Sequence, residues 1–420
     1  MAQQVKRAFM YRFYPTDEQA TELSRTFGCV RYVYNWALRL RSEAYTLRGE
    51  KIGYPETDKA LTALKYSEEA AFLREVPSVP LQQALRRLQG AFQAFFDKRA
   101  RYPRFKSKKK ARPSATYTRS AFRWRGGELF LAKMSGPLDI ALSRPLPKGA
   151  EPTTVTVSRD GAGRWFVSLL VEDTVKPLRR KRTAVGVDAG VSSLVTLSTG
   201  EKIANPKQEQ RERARLAKAQ RELARKQKGS SNSAKACVKV ARVHGRIADR
   251  RRDFLHKLTT RLVQENQLVV IEDLTVRNML KNGSLARAIS DASWTRLRSM
   301  LEYKCAWYGR ELVVIDRWHP SSKACSACGR ICESLPLHVR EWTCKGCGAR
   351  HDRDHNAAKN ILAAGLAVAA CGAGVRPQRK FIPDEAVGGE AGNAAAQAAA
   401  LPAFRGGKKV NRRAPLRRGT

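Results

Sequence analysis

Four cysteines constrain this chain more than any other feature. Cys325 and Cys328 form one C-x2-C knuckle, fifteen residues follow, and Cys344 and Cys347 form a second. Each knuckle can turn two thiolates toward one point. Two knuckles then complete a tetrahedral Zn²⁺ site with no vacant position, so the metal is structural rather than catalytic. Cys332 and His351 lie nearby and stay open as alternate ligands. The remaining cysteines, Cys29, Cys237, Cys305 and Cys371, are scattered through the chain. Clustering of this kind in a cytosolic chain points to metal, not to a disulfide framework.

Charge narrows the partner. The 420 residues carry 80 Lys+Arg against 38 Asp+Glu, a formal charge of +42. A folded state so charged repels itself unless a polyanion neutralises it, and nucleic acid releases counterions when it does so. At 42% hydrophobic residues the chain has enough apolar material to fold, so wholesale disorder is excluded. Met1–Phe13 carries Lys6, Arg7 and Arg12 and has no signal-peptide core. Leu362–Ala370 is about half the length that a bilayer requires. The expectation is a soluble, cytoplasmic, nucleic-acid-binding protein with no membrane partner.

A strand-like piece runs from Val5 to Tyr14, and Thr16 then offers an N-cap to a helix carrying Leu23, Phe27, Val30, Val33, Tyr34 and Leu38. Helical spacing returns over Asp58–Leu73 and Leu81–Arg99, and Arg101–Arg112 reads as a basic loop holding Tyr102 and Phe105. From Thr116 to Val175 short alternating segments reappear, with Gly126-Gly127 and Asp160-Gly161 as hairpin signals. The front half is therefore a small β unit with helices inserted. After the basic linker 176–182 come strands ending near Asp188 and at Ser193–Leu197. Charged helices follow over Lys207–Lys228 and Ala234–Glu265, broken by Gly229–Ser233 into a helical hairpin. Leu268–Leu274 is a buried strand, Asn278–Tyr308 a loop and helix, and Glu311–Ile315 a strand. The Ala/Gly-rich segment 371–420 has no periodic core and reads as a disordered basic tail.

Three acids sit where a catalytic metal needs them. Asp188 follows an apolar strand, Glu272 ends Leu268–Ile271, and Asp354 opens a helix in His351-Asp352-Arg353-Asp354-His355-Asn356. Clustered carboxylates repel one another unless cations neutralise them. A pair of Mg²⁺ ions roughly 4 Å apart does this and serves phosphodiester hydrolysis. Singly, each acid has a plainer account: Asp188 as a turn former, Glu272 as half of a core ion pair, Asp354 as a helix N-cap. Only the joint pattern favours metal.

Gly186-Val187-Asp188-Ala189-Gly190, Val270-Ile271-Glu272-Asp273-Leu274 and Asp352-Arg353-Asp354-His355-Asn356-Ala357-Ala358, with the four-cysteine ribbon before the third, resemble the TnpB family. Phe13-Tyr14-Pro15-Thr16, Val33–Leu38, Arg252–Leu258, Ile289–Ala292 and Tyr303-Lys304 agree with it, so the likeness covers about 5–370. TnpB proteins are transposon-encoded RNA-guided DNA nucleases related to compact type V CRISPR effectors. The resemblance implies a multidomain α+β chain in which a β-barrel wedge domain (1–15 and 113–175) carries a helical recognition insert (16–112). An RNase H-like (RuvC) nuclease domain (183–318 and 349–370) would hold an inserted zinc ribbon (319–348). Asp188, Glu272 and Asp354 would bind two catalytic Mg²⁺, replaceable by Mn²⁺. Cys325, Cys328, Cys344 and Cys347 would bind one Zn²⁺.

The partners so implied are a guide RNA from the transposon end and a double-stranded DNA target beside a short motif, in a prokaryotic cytoplasm at the nucleoid. Both strands would be cut in one site. Asn278–Trp294 resembles the family's mobile segment over that site. Lys98–Arg112 and the hairpin 207–265 are candidate RNA or heteroduplex faces, although such runs are also ordinary solvated helix surface. The family pattern points to Tyr54, Gln82 and Gln83 for motif reading, since Gln can bond adenine bidentately. Either Gln also suits plain helix surface. Phe9, Tyr11, Tyr34 and Trp36 are candidates for base stacking or, at their spacing, for core. Other readings are a guide-dependent repressor with a decayed nuclease, a guide-free RuvC-type nuclease, and a strand-joining transposase. The intact acids oppose the first, and the ribbon and front half oppose the second. No added His or Tyr constellation supports the third.

Overall fold

A computed structural model describes residues 2–336 and 338–370. The expected tail 371–420 lies outside the described residues. The chain opens with strand β1 (Gln3–Phe13), whose buried Val5, Phe9, Tyr11 and Phe13 share the period of a half-covered sheet. Thr16 caps helix α1 (Asp17–Arg48) and Gln19 bonds back to the cap, a reciprocal capping box. Gly49, at φ +67°, ends the helix in the left-handed conformation. The periodicity of 58–73 resolves into helix α2 (Tyr54–Tyr66) and a separate 3-10 segment, Glu68–Arg74. Ser67 adopts an extended backbone between them and its hydroxyl donates to the Leu64 carbonyl, a local bond that competes with the helix. Helix α3 (Ser78–Phe96) buries Leu81, Leu85, Leu88 and Phe92.

Strands β2 (Ser114–Thr118), β3 (Phe122–Arg125), β4 (Glu128–Leu131), β5 (Ile140–Ala141), β6 (Pro152–Arg159) and β7 (Trp165–Val175) follow. Gly126 and Gly127 join β3 to β4 at positive φ, as a tight hairpin turn requires. The main sheet has the order β2-β6-β7-β1-β5 and all its pairs are antiparallel. Its inner face and α1–α3 share one apolar core, where Phe9, Tyr11 and Tyr34 are buried and Trp36 packs at the margin. Those aromatics are therefore core, not stacking platforms.

The second half builds strands β8 (Ala184–Ala189), β9 (Ser193–Leu197) and β10 (Lys202–Ala204), then helices α4 (Gln208–Ala224) and α5 (Ser231–Glu265). Leu216 of α4 packs with Val243 and Ile247 of α5. Strand β11 (Leu268–Glu272) is followed by three helices where one was expected: α6 (Val276–Met279), α7 (Ala286–Ala292) and α8 (Trp294–Tyr308). Ser293, at φ +55°, breaks the last two apart. Strand β12 (Glu311–Ile315), the short pair β13 (Glu341–Thr343) and β14 (Arg350–Asp352), and helix α9 (Arg353–Ala370) complete the described chain. The sheet order is β10-β9-β8-β11-β12, with β9 antiparallel to both β8 and β10, and β11 parallel to β8 and to β12. Both faces are covered, which explains why β11 is apolar from Leu268 to Ile271, up to the Glu272 that ends it. Val185, Val187, Val269 and Ile271 face α5 and α8, whereas Gly186 and Val270 face α9. No helix of the described residues is long and apolar enough to cross a membrane.

Candidate functional site

Strand alternation decides where the acids point. Asp188 is two residues beyond Gly186, and Glu272 two beyond Val270, so both take the face that α9 covers. Parallel pairing of β8 and β11 brings both acids to the same end of the sheet. Helix α9 approaches that face without side chains in the way. A Cβ on Gly186 would meet the Ala358 carbonyl and Leu362, and one on Gly365 would meet Val270. This docking carries Asp354, in the first turn of α9, to the other two.

The plainer roles available to these acids are filled by their neighbours. Asp352 accepts the His355 amide at 2.9 Å as the helix cap and pairs with Lys202 at 2.6 Å. Asp273, not Glu272, pairs with Arg298 and Arg317. Glu272 has no ion-pair partner among the described residues and accepts only a 3.5 Å bond from the Ser321 hydroxyl. Asp354 has one partly exposed cation, Arg340, at 3.4 Å.

Electrostatics registers the convergence. Burial, then the charges of Asp354 and Glu272, hold the Asp188 carboxyl up at about 7, with Arg353 and Arg340 opposing. Burial also raises Glu272, against the Ser321 bond. The acids nevertheless stand farther apart than the cysteines. Among the described residues, only Cys325, Cys328, Cys344 and Cys347 bring all their ligand atoms within 4.8 Å of one another.

That four-thiol group fits a metal ion. Cys325 and Cys347 sulfurs lie 3.6 Å apart, and those of Cys328 and Cys344 lie 3.7 Å apart. The tetrahedral edge for zinc–sulfur bonds near 2.3 Å is about 3.8 Å. The Gly346 and Cys347 amides lower the Cys344 thiol, the direction that favours a thiolate there. Cys332 stays outside the group. His351 lies against it, its Nε2 3.0 Å from the Cys325 sulfur and its ring 4.8 Å from the Trp342 ring.

Tyr54 opens α2 and lies under the Arg86 guanidinium, 4.9 Å from its ring centre. Arg86 is one turn beyond Gln82 and Gln83 on α3, so the structure brings these three residues toward one partly exposed helix face. The sequence reading missed Asn356 and Asn360. Asn356 bonds the Ala324 carbonyl at 2.7 Å and accepts the Ser326 amide at 2.9 Å, while Asn360 reaches Ser321 and Ala324. They clamp α9 to the first knuckle. Two asparagines on the buried side of an Ala-rich helix were the available signal.

A carboxylate-bearing mixed sheet joined to a four-thiol metal ribbon defines a multidomain α+β protein, and comparison with known proteins places it. The family model described as "Probable transposase" matches residues 166–283, and that of the Cas12f1-like TNB domain matches 294–361. A helix-turn-helix model matches 1–50, where this chain has strand β1 and the single long helix α1. A Streptomyces pristinaespiralis protein named "Putative RNA-guided DNA endonuclease" is 72% identical over 380 residues, covering 90% of this chain and 94% of that one. "Putative RNA-guided DNA endonuclease InsQ" of Escherichia coli K12 is 34% identical over 397 residues, covering 89% and 96%. The chain belongs to the TnpB family. A cryo-EM structure of a Cas12f1–sgRNA–target DNA complex has a similar fold, with a TM-score of 0.51 at 13% identity over 86% of this chain and 99% of that one.

Proposed function

We propose that this chain is an RNA-guided DNA endonuclease. It holds a guide RNA transcribed from a transposon end, pairs it with double-stranded DNA beside a short motif, and cuts both strands at one carboxylate site. The observation that carries this reading is the meeting of Asp188, Glu272 and Asp354 at one sheet end, while Asp273 and Asp352 fill the structural roles nearby. The names of the relatives agree with it.

The β8–β12 sheet with α9 is read as an RNase H-like (RuvC) domain, 183–318 and 349–370. Its strand order, three antiparallel and two added in parallel, supports that reading. The ribbon is 319–348. The first sheet, 1–15 and 113–175, is read as the wedge barrel carrying the recognition helices 16–112, and 176–182 as the linker. Tyr54, Gln82 and Gln83 are assigned to motif contact. The place of action is the prokaryotic cytoplasm, on the nucleoid.

The acid set offers only hard oxygen donors whose mutual repulsion a cation relieves, which fits Mg²⁺ or Mn²⁺. Bound there as a pair, such ions would neutralise the acids and stabilise charge on the attacking and leaving oxygens of the phosphodiester. Asp188 and Glu272 are fixed by the sheet, and Ser321 orients Glu272. Arg340 and Arg353 put positive charge beside Asp188, so a substrate phosphate is drawn to the rim. The four thiols would hold Zn²⁺, which orders the ribbon and takes no part in the chemistry.

The test is to purify the chain co-expressed with its native flanking DNA, sequence the bound RNA, and incubate the complex with matched duplex and Mg²⁺. A discrete RNA with a constant scaffold, and cleavage that Asp188→Ala abolishes, support the reading. Heterogeneous RNA with unguided cutting would make the chain a guide-free nuclease.

A further inference from the structure

Strand β12 ends level with the acids, and the segment after it displays one large ring to solvent. Parallel pairing sets Ile315, the last residue of β12, opposite Glu272. Residues 316–321 follow at that end of the sheet and are tied down along their length. Arg317 pairs with Asp273, the neighbour of Glu272. The Ser321 hydroxyl donates to Glu272 at 3.5 Å, and Asn360 of α9 donates to the Ser321 carbonyl at 2.8 Å. The Asp316 carboxylate accepts the Trp318 amide at 2.9 Å, and the Asp316 carbonyl accepts the His319 amide at 3.2 Å.

Trp318 lies between these anchors and is 85% exposed, more than any other large apolar side chain among the described residues. The other six tryptophans are buried or half-buried. Leaving an indole open forfeits one of the largest apolar burials that a side chain can make. The fixed backbone on either side shows that the ring is presented by an ordered turn. Three residues of chain span at most about 11 Å, so Trp318 stays near the level of Glu272.

We propose that Trp318 is a stacking platform for one nucleobase of the DNA strand being cut, and that it sets which phosphate stands over Asp188, Glu272 and Asp354. The inference rests on the endonuclease reading and names the residue that gives the strand its register. Arg340 and Arg353 beside Asp188 draw any phosphate equally and cannot choose among them. A stacked base can. Every base has a π-face, so the platform accepts any sequence and leaves sequence choice to base pairing. A base within a duplex already stacks on both neighbours, so the ring takes unpaired strand. The occupant is the strand at the cut because the ring stands at the acid end of the sheet.

The test uses the full chain with its co-purified RNA, Mg²⁺, and matched duplexes that each carry one abasic nucleotide, stepped through the mapped cut on each strand. Under single-turnover conditions, wild type should slow about tenfold at one position near the cut, where the lost base is the one that stacks. Trp318→Ala should slow about tenfold on the intact duplex and lose nothing further at that position. At other positions the two losses should multiply, a pattern that a purely structural role would not produce. Trp318→Phe, which keeps a ring, should recover most of the rate. In the Asp188→Asn background, which leaves the strand uncut, a fluorescent adenine analogue at that position should be quenched only while Trp318 is present. The melting temperature of Trp318→Ala should match wild type, because the ring buries so little.

Trp318→Ala that cuts like wild type overturns the platform. So does a variant whose loss multiplies with the abasic loss at every position, or one that melts lower and slows equally on all substrates. Loss of RNA binding in Trp318→Ala gives the ring to the guide and overturns the proposal. Wild type that leaves the unmodified matched duplex uncut overturns the endonuclease reading, and the platform with it.

Discussion

Gly186 on β8 lies so close to α9 that a Cβ there would collide with the Ala358 carbonyl oxygen. Backbone cannot yield as a flexible side chain can. Gly186→Ala therefore pushes α9 from the sheet and moves Asp354 from Asp188. Overpacking of this kind costs about 1–3 kcal/mol. Thermal melting should show that loss, with a greater fall in cleavage than the stability change explains. A variant that melts and cuts like wild type would show that α9 docks elsewhere.

If Asp188 holds the proposed metals, Asp188→Asn should leave guide and target binding intact and reduce cleavage about a thousandfold or more, since metal ions at such a site supply several kcal/mol of transition-state stabilisation. Single-turnover cleavage at saturating guide is the measurement. A residual rate within tenfold of wild type removes Asp188 from the site.

The same residue sets a pH dependence. Its carboxyl titrates at about 7 in the folded chain against an ordinary 3.8. The folded state thus keeps a proton that the unfolded chain has released, and the stability from this proton is lost as pH rises between those values. In chelator, wild type should lose stability relative to Asp188→Asn across that window. Mg²⁺ bound at the proposed site would displace the proton, so Mg²⁺ affinity should climb over the same range. Parallel melting curves for the two proteins would show that the carboxyl is not raised.

Cys344→Ser should abolish zinc binding and lower folding yield, because a structural metal contributes folding free energy directly. His351→Ala removes the ring against Cys325 and should weaken zinc about 10–100-fold without abolishing it. Competition with a chromogenic chelator measures both. Wild-type zinc affinity in His351→Ala would make the histidine a packing residue only.

Lys304 joins α8 to α5 from a buried position, donating to the His256 carbonyl at 2.8 Å and to the Thr259 and Thr260 hydroxyls at 2.7 Å each. Lys304→Met removes these charge-assisted bonds and should cost about 1–3 kcal/mol. Denaturant melts read this loss, and an unchanged midpoint would mean that the threonines repair it locally.

Local chemistry was legible in the sequence. The Thr16 cap, the Gly126-Gly127 turn, and the strands Leu268–Glu272 and Glu311–Ile315 follow from residue type and period. The knuckle spacing brings the four thiols together as read. What stayed hidden was pairing over long sequence distance. Nothing local reveals that β11 enters between β8 and β12, or that Arg12 and Arg112 meet on Phe166. Charge runs mislead for the same reason. Arg246 and Arg250 read as solvated helix face, yet both reach Glu212 on another helix. Asp273 shows the opposite case, an acid in the motif whose bonds to Arg298 and Arg317 make it a brace.

Helix α9 brings the last of the three acids, and β14 leads into it directly from the second knuckle. Asp188, Glu272 and Asp354 are thus delivered in chain order, the last 166 residues after the first. A translating ribosome releases the sheet and two acids well before the third, and domains form as they emerge. On the proposed reading, the three-acid site is complete only once synthesis has passed the ribbon.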